Sequence, residues 1–83
     1  MSNLDVYSTS SADRYEAVTP SDSVDFGKVT RGIYVGGAGD LVVVTTRDEA
    51  ITFAGVLAGT LLPIVAKRVN STSTTATNIV ALF

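Results

Sequence analysis

The sequence predicts a small all-β domain, built as an antiparallel sandwich or barrel of about seven short strands. Short apolar runs rich in β-branched residues alternate with turn-forming residues at intervals of about 8 to 12 residues, as they do in such folds. No stretch of useful length repeats its apolar residues with the 3.6-residue period of a helix. A chain of 83 residues is long enough for one domain of this kind and too short for two.

The predicted strands follow from local composition, and each ends where turn-forming or polar residues begin. Pro20 and Asp22 are typical turn residues and end the first strand. Gly27 makes the second predicted strand, residues 23–29, a weak strand or a bent edge. Pro63 must lie at the start, at an edge or at a bulge of the sixth predicted strand, residues 61–69. The seven predicted strands cover residues 15–18, 23–29, 31–35, 41–46, 51–53, 61–69 and 78–83.

Two of these strands are predicted to pair as a hairpin, 31–35 with 41–46. The glycine-rich segment 36–40 between them permits positive φ and a tight connection. A dinucleotide fingerprint would need a helix after these glycines, but a β-branched strand follows, so we interpret the segment as a turn. Residues 70–77, rich in Thr and Ser, are likewise predicted to form an ordered hairpin loop.

The composition excludes most enzyme classes. Cysteine, histidine and tryptophan are absent, which removes disulfides, thiolate nucleophiles, Cys-ligated zinc and the usual general base near pH 7. The acidic pairs Asp22 with Asp25 and Asp48 with Glu49 lie at turn signals, where water should keep their pKa values near the ordinary range. We therefore expect no catalytic residue, no cofactor and no metal site.

The charge and hydropathy favour a protein partner. The net charge is −2, which argues against nucleic acid. The uncharged run 50–66 is shorter than a membrane span, and the first residues lack the pattern of a signal peptide. Hydrophobic residues make up 46% and charged residues 17%, more apolar surface than a small domain can bury within itself. We expect the excess to form the subunit interface of a homo-oligomer.

Both ends of the chain contain candidate interface residues. Residues 1–13 are polar and rich in Ser, and we predict a flexible N-terminal arm before a single β domain of residues 14–83. The arm is predicted either to contact a neighbouring subunit or to be a frayed tail. In the last strand, one apolar face should contact the core and the other a neighbour. The candidate interface residues are Leu4, Val6, Tyr7, Val80, Leu82 and Phe83.

Several segments also match a known family in order and spacing. They are 17–22 (AVTPSD), 32–40 (GIYVGGAGD), 51–53 (ITF), 58–63 (AGTLLP), 68–69 (RV) and 74–83 (TTATNIVALF). Over residues 14–83 the chain resembles the small head-spike base proteins of tailed phages and gene transfer agents. Ser73 departs from the pattern, because the family has Gly before Thr-Thr-Ala-Thr.

The resemblance implies a structural virion protein, assembled in the host cytoplasm. It would sit as an oligomer on the capsid surface, contact the major capsid protein and seat a spike or fibre protein. A cement or decoration protein that stabilises the shell is the alternative, and symmetry separates the two: fivefold at a vertex for a spike base, threefold or quasi-threefold for cement. A small carbohydrate-binding module is the remaining alternative, and it would need an exposed aromatic platform from Tyr7, Tyr15 or Tyr34.

Overall fold

The computed structural model describes residues 14–83, and these form seven strands in two antiparallel sheets with no helix. The first sheet has the strand order β1-β7-β2-β5 and the second the order β4-β3-β6. The prediction of an all-β sandwich is therefore confirmed. The predicted arm, residues 1–13, lies outside the described residues. The strands are β1 (Tyr15–Ala17), β2 (Gly32–Gly37), β3 (Gly39–Val44), β4 (Ala50–Val56), β5 (Thr60–Leu62), β6 (Arg68–Val69) and β7 (Thr77–Leu82).

The core lies between the two sheets and is formed by alternate residues of the central strands. Ile33 and Val35 of β2 are fully buried, as is Leu41 of β3, while Tyr34 between the first two is exposed. This alternation is expected of a strand with one face on the core and one face outward. The buried cluster contains Ile33, Val35, Leu41, Val43, Val56, Ala66, Val69, Ala76 and Ile79.

The predicted hairpin of residues 31–35 with 41–46 is wrong. β2 pairs with β5 and β7, whereas β3 pairs with β4 and β6. The glycine-rich segment 36–40 therefore carries the chain from one sheet to the other instead of reversing it within a sheet. Both strands are apolar enough to pair with several partners, and the glycines permit either path, so the local pattern does not distinguish a hairpin from a crossing.

Three other predicted elements differ from the structure. Residues 23–29 form no strand, and they contact β6 and the residue before it through isolated bonds, such as Phe26 N–H to Lys67 O at 2.8 Å and the ion pair of Asp25 with Arg68. The predicted strand 61–69 is divided into β5 and β6, because Pro63 lacks an N–H and the following residues pass between the sheets. Residues 70–77 join strands of different sheets, so they are an ordered loop and not a hairpin loop.

The first and last predicted strands are confirmed. β1 pairs with β7, and β7 also pairs with β2, so the last strand in sequence lies inside the four-stranded sheet. Ile79 and Ala81 are buried, as the predicted alternation requires. No helix with the length and apolar character of a membrane span is found within residues 14–83.

Candidate interaction surface

The outer side of the four-stranded sheet is apolar across its whole width. Tyr34 lies opposite both Leu61 of β5 and Val80 of β7. Because directly opposed residues in antiparallel strands point to the same side, and Ile33 and Val35 point into the core, this row points outward. The same register adds further residues from β1, β2 and β7. We call the set the outer apolar face: Tyr15, Ala17, Gly32, Tyr34, Leu61, Val80 and Leu82.

The side chains of the outer apolar face form a continuous surface. Tyr15 is 67% exposed, Leu61 55% and Tyr34 41%. Gly32 lies beneath two leucines, since a Cβ at this position would be 3.5 Å from Leu61 Cδ1 and 3.6 Å from Leu82 Cδ1. The leucine side chains therefore converge above the glycine from two flanking strands. None of the seven residues is charged, and contiguous exposed apolar surface of this kind is typical of protein interfaces.

The predicted interface residues are distributed between this face and the core. Val80 and Leu82 lie on the outer apolar face, half-buried among their neighbours. Phe83 lies apart from them: it is buried, and its ring packs edge-on against Phe26 with ring centres 5.9 Å apart. The remaining candidates in the N-terminal arm, Leu4, Val6 and Tyr7, lie outside the described residues.

Sequence reasoning missed Leu61 and did not connect the two tyrosines with the last strand. Tyr34 could be assigned to the side opposite Ile33 and Val35 from alternation alone. That it lies beside Val80 and Leu61, however, follows only from the register of β2 with β7 and β5. Alternation in the sequence shows which residues of each strand point outward. It does not show which strands are neighbours in the sheet.

Two aspartates depart from the ordinary carboxyl behaviour that their turn positions predict. Asp22 Oδ1 accepts hydrogen bonds from the backbone N–H groups of Ser71 (3.0 Å) and Thr72 (2.9 Å), and Asp22 Oδ2 accepts one from the Thr72 hydroxyl. The Thr72 side chain, then its backbone N–H, lower the pKa of Asp22. The Lys67 ammonium lowers the pKa of Asp48, first by its hydrogen bond and then by its charge.

These carboxylates connect loops and do not form a reactive cluster. Lys67 pairs with Asp48, and Arg68 Nη1 donates to Asp25 Oδ1 at 2.6 Å, so both basic side chains are engaged in ion pairs. A lowered pKa makes a carboxylate a weaker base, the opposite of what general base catalysis near pH 7 requires. Within residues 14–83 no three acidic side chains are grouped as metal ligands.

A shallow cleft of about 150 Å³ lies beside β1. Exposed charged side chains of both signs line it, and Phe83 closes one wall. The open position and mixed charge give it no built site for a ligand. Its lining residues are Arg14, Glu16, Gly27, Lys28 and Phe83.

Two of the segments that carry the family resemblance pack against each other. Asp40 O accepts hydrogen bonds from the N–H groups of Thr75 (2.9 Å) and Ala76 (3.0 Å), and the Thr75 hydroxyl accepts one from Asp40 N–H at 2.8 Å. A Cβ at Gly39 would lie 2.5 Å from Ala76 N, so only glycine permits this approach of two backbones. We call segments 36–40 and 74–78 in this contact the glycine–threonine seam.

Ser73, the departure from the family pattern, keeps the backbone conformation that glycine favours. Its φ is +69°, in the left-handed region that a side chain makes costly and a glycine adopts freely. The loop before the glycine–threonine seam therefore has the glycine-type geometry although the residue is serine.

Comparison with solved structures identifies a relative. A chain in the capsid of a native gene transfer agent particle, computed with C5 symmetry, is 32% identical to this one. The match covers 100% of both chains, with a TM-score of 0.82. The chain belongs to the family of that capsid chain. No protein-family model matches the sequence, and neither does any curated protein.

Membership of a capsid family confirms the coarser part of the resemblance, a phage-like capsid protein. The segments quoted for the resemblance are also explained by the fold. In this capsid-family chain, 36–40 and 74–78 meet in the glycine–threonine seam, and 32–34 and 79–82 supply much of the outer apolar face. The quoted segments of this chain thus include both a backbone contact that needs glycine and an exposed surface that suits a partner.

Proposed function

We propose that the chain is a non-enzymatic structural protein that binds as an oligomer to the outside of a phage-like capsid and serves as a head-spike base. The outer apolar face is the observation that carries this proposal. A capsid-family protein with an uncharged face across a four-stranded sheet has a surface suited to another protein of the particle.

The spike base is proposed over a cement protein because of the sequence resemblance over residues 14–83, and symmetry distinguishes the two. A spike base follows the fivefold vertices, whereas cement proteins would follow threefold positions over the shell. The proposed partners are further copies of this chain, the major capsid protein and a spike or fibre protein.

The outer apolar face is poorly suited to a sugar. Tyr15 and Tyr34 are exposed, but their cross-strand neighbours are Leu82, Leu61 and Val80. Sugar recognition requires hydrogen-bonding groups beside the aromatic ring, and apart from backbone the phenol hydroxyls are the polar groups of this face. The arrangement favours apolar burial against protein over carbohydrate binding.

Matched aspartate variants test the proposal. Leu61→Asp places a charge on the outer apolar face, whereas Leu57→Asp places the same charge on a leucine that is 73% exposed outside it. We expect Leu61→Asp to abolish oligomers in native mass spectrometry and to reduce co-sedimentation with capsid particles at least tenfold. Leu57→Asp should behave like the unsubstituted protein, and circular dichroism confirms that both variants fold.

Three results would overturn the proposal in different ways. A monomer that ignores capsids would contradict any structural role in the particle. Equal binding by both aspartate variants would show that another surface mediates attachment. Density for the protein at threefold positions in electron cryomicroscopy of decorated capsids would replace the spike base with a cement protein.

A further inference from the structure

Within residues 14–83, one long strand edge has no neighbour. β4 is seven residues long and forms one side of the three-stranded sheet. The other side of that sheet, β6, receives hydrogen bonds from Ser21 N–H to Val69 O (2.9 Å) and from Phe26 N–H to Lys67 O (2.8 Å). The edge strands of the four-stranded sheet, β1 and β5, have three residues each. β4 is therefore the longest edge available for pairing.

The backbone groups on the free edge of β4 follow from its register. Thr45 N–H donates to Glu49 O at 2.9 Å, and antiparallel pairs alternate between bonded and non-bonded positions. Because Val43 lies opposite Ile51 and Leu41 opposite Phe53, Ile51 and Phe53 direct their N–H and C=O groups to β3. Residues 50, 52 and 54 direct theirs away from the sheet.

The composition of this edge does not protect it from pairing. Exposed edges are usually blocked by lysine, proline or a bulge. β4 has no charged residue and no proline, and its register shift lies at the far end, where Gly55 N–H donates to Asp40 Oδ1 at 2.9 Å. An extended segment of four or five residues fits before that irregularity.

The start of the described chain lies on the opposite side of the sandwich from β4. The loop after β1 bonds to β6 through Ser21 and Phe26, which places β1 and β6 on one side. β4 continues into β5 through residues 57–59, and Gly59 N–H donates to Val35 O at 2.7 Å, which places β4 and β5 on the other. Arg14, the first described residue, therefore lies on the side away from β4.

We propose that residues 4–9 of one copy add as a strand to the free edge of β4 in the next copy. This inference rests on the proposed oligomer. The sequence LDVYST alternates Leu4 and Val6 with Asp5 and Tyr7, a pattern that suits a strand with one apolar side. With residues 4–9 in the added strand, the four residues 10–13 link it to the described domain and reach about 13 Å when extended, enough to span the roughly 10 Å between stacked sheets.

The start of the described chain and the free edge of β4 lie on opposite sides of each copy, and this arrangement favours a ring. An interface that joins one side of each copy to the other side of the next is heterologous, and such interfaces close into rings when the rotation permits. Two β4 edges paired with each other would instead give a twofold dimer.

Cysteine cross-linking tests the contact directly, because the chain has no cysteine of its own. Two singly substituted full-length proteins, Val6→Cys and Thr52→Cys, are mixed under conditions where the oligomer or the capsid-bound form is present. A short bismaleimide should link the two different chains. A matched pair of Val6→Cys with Ser71→Cys, on the β6 side, should give at least tenfold less product.

The possible outcomes separate this inference from the proposed function. If oligomers or capsid-bound protein persist without the Val6–Thr52 product, the strand addition is wrong while the structural role stands. A product formed only between two Thr52→Cys chains also overturns it. A protein that neither oligomerises nor binds capsids contradicts the proposed function itself.

Proline provides a second readout. Thr52→Pro removes an N–H that faces away from β3, a position where edge strands tolerate proline, whereas Thr52→Val keeps that N–H. We expect Thr52→Pro to raise the dissociation constant of the oligomer at least tenfold. Thr52→Val should leave this dissociation constant unchanged. Equal oligomerisation by two folded variants would contradict pairing at this edge.

Discussion

Replacing Thr30 by valine should be among the most destabilising conservative changes in this protein. Thr30 is 1% exposed, and its hydroxyl donates to Ile64 O at 2.8 Å and accepts from Ala66 N–H at 3.0 Å. Valine keeps the shape but leaves both backbone groups unpaired. An orphaned buried N–H costs about 1–3 kcal/mol and a lost neutral hydrogen bond about 1 kcal/mol. We expect the free energy of unfolding to fall by about 2–4 kcal/mol.

Thr30→Ser is the matched control, because it keeps the hydroxyl and loses only a methyl group, worth about 1 kcal/mol. Urea unfolding followed by circular dichroism should give Thr30→Val a clearly lower free energy of unfolding than Thr30→Ser. A loss of about 2–4 kcal/mol corresponds to a fall in Tm of about 10–25 °C for a domain of this size. All proteins are compared at one concentration, since association raises apparent stability. If Thr30→Val is as stable as Thr30→Ser, the two hydrogen bonds do not stabilise the segment 63–67 that connects β5 to β6.

Three further predictions concern a loop, the end of the chain and acid stability. Ser73→Gly should raise the free energy of unfolding by about 0.5–1 kcal/mol in urea titrations, because it relieves the left-handed φ; a loss of stability would contradict this. Phe83→Ala should cost about 3–5 kcal/mol, since the ring is buried against Phe26, and an unchanged Tm would disprove the packing. The lowered pKa of Asp22 means that its hydrogen bonds stabilise the fold above the ordinary value of 3.8 and cease to do so as pH falls through the lower folded value. Asp22→Asn should therefore be less stable than the unsubstituted protein at pH 7 and lose less Tm between about pH 5 and pH 2; parallel acid profiles for the two proteins would refute the assignment.

Strand positions could be predicted from this sequence, but strand partners could not. The alternation in β7 correctly assigns Ile79 and Ala81 to the core, and turn chemistry at Pro20 correctly bounds β1. The pairing of β2 with β7 joins residues 40 to 50 positions apart, and no local pattern encodes such a choice. The incorrect hairpin arose because neighbours in sequence were taken as neighbours in the sheet.

The same distinction applies to the candidate surface and to the acidic side chains. Val80 and Leu82 were predicted from parity within one strand, whereas Leu61 joins them only through register with β2. The altered pKa of Asp22 could not be predicted either, because Thr72 lies 50 positions along the chain. Properties set by one strand are predictable from its composition; those set by two distant segments require the fold.

The central place of β7 has a consequence for how the protein is made. β7 follows the other six strands in sequence, yet it separates β1 from β2 in the finished sheet. During synthesis, the sheet therefore cannot join β1 to β2 until residues 77–82 have emerged. Folding of this sheet is expected to be slow, because distant segments have to meet. Chains cut short before residue 77 cannot complete the sheet, so we expect unfinished products to be cleared by proteases rather than incorporated into particles.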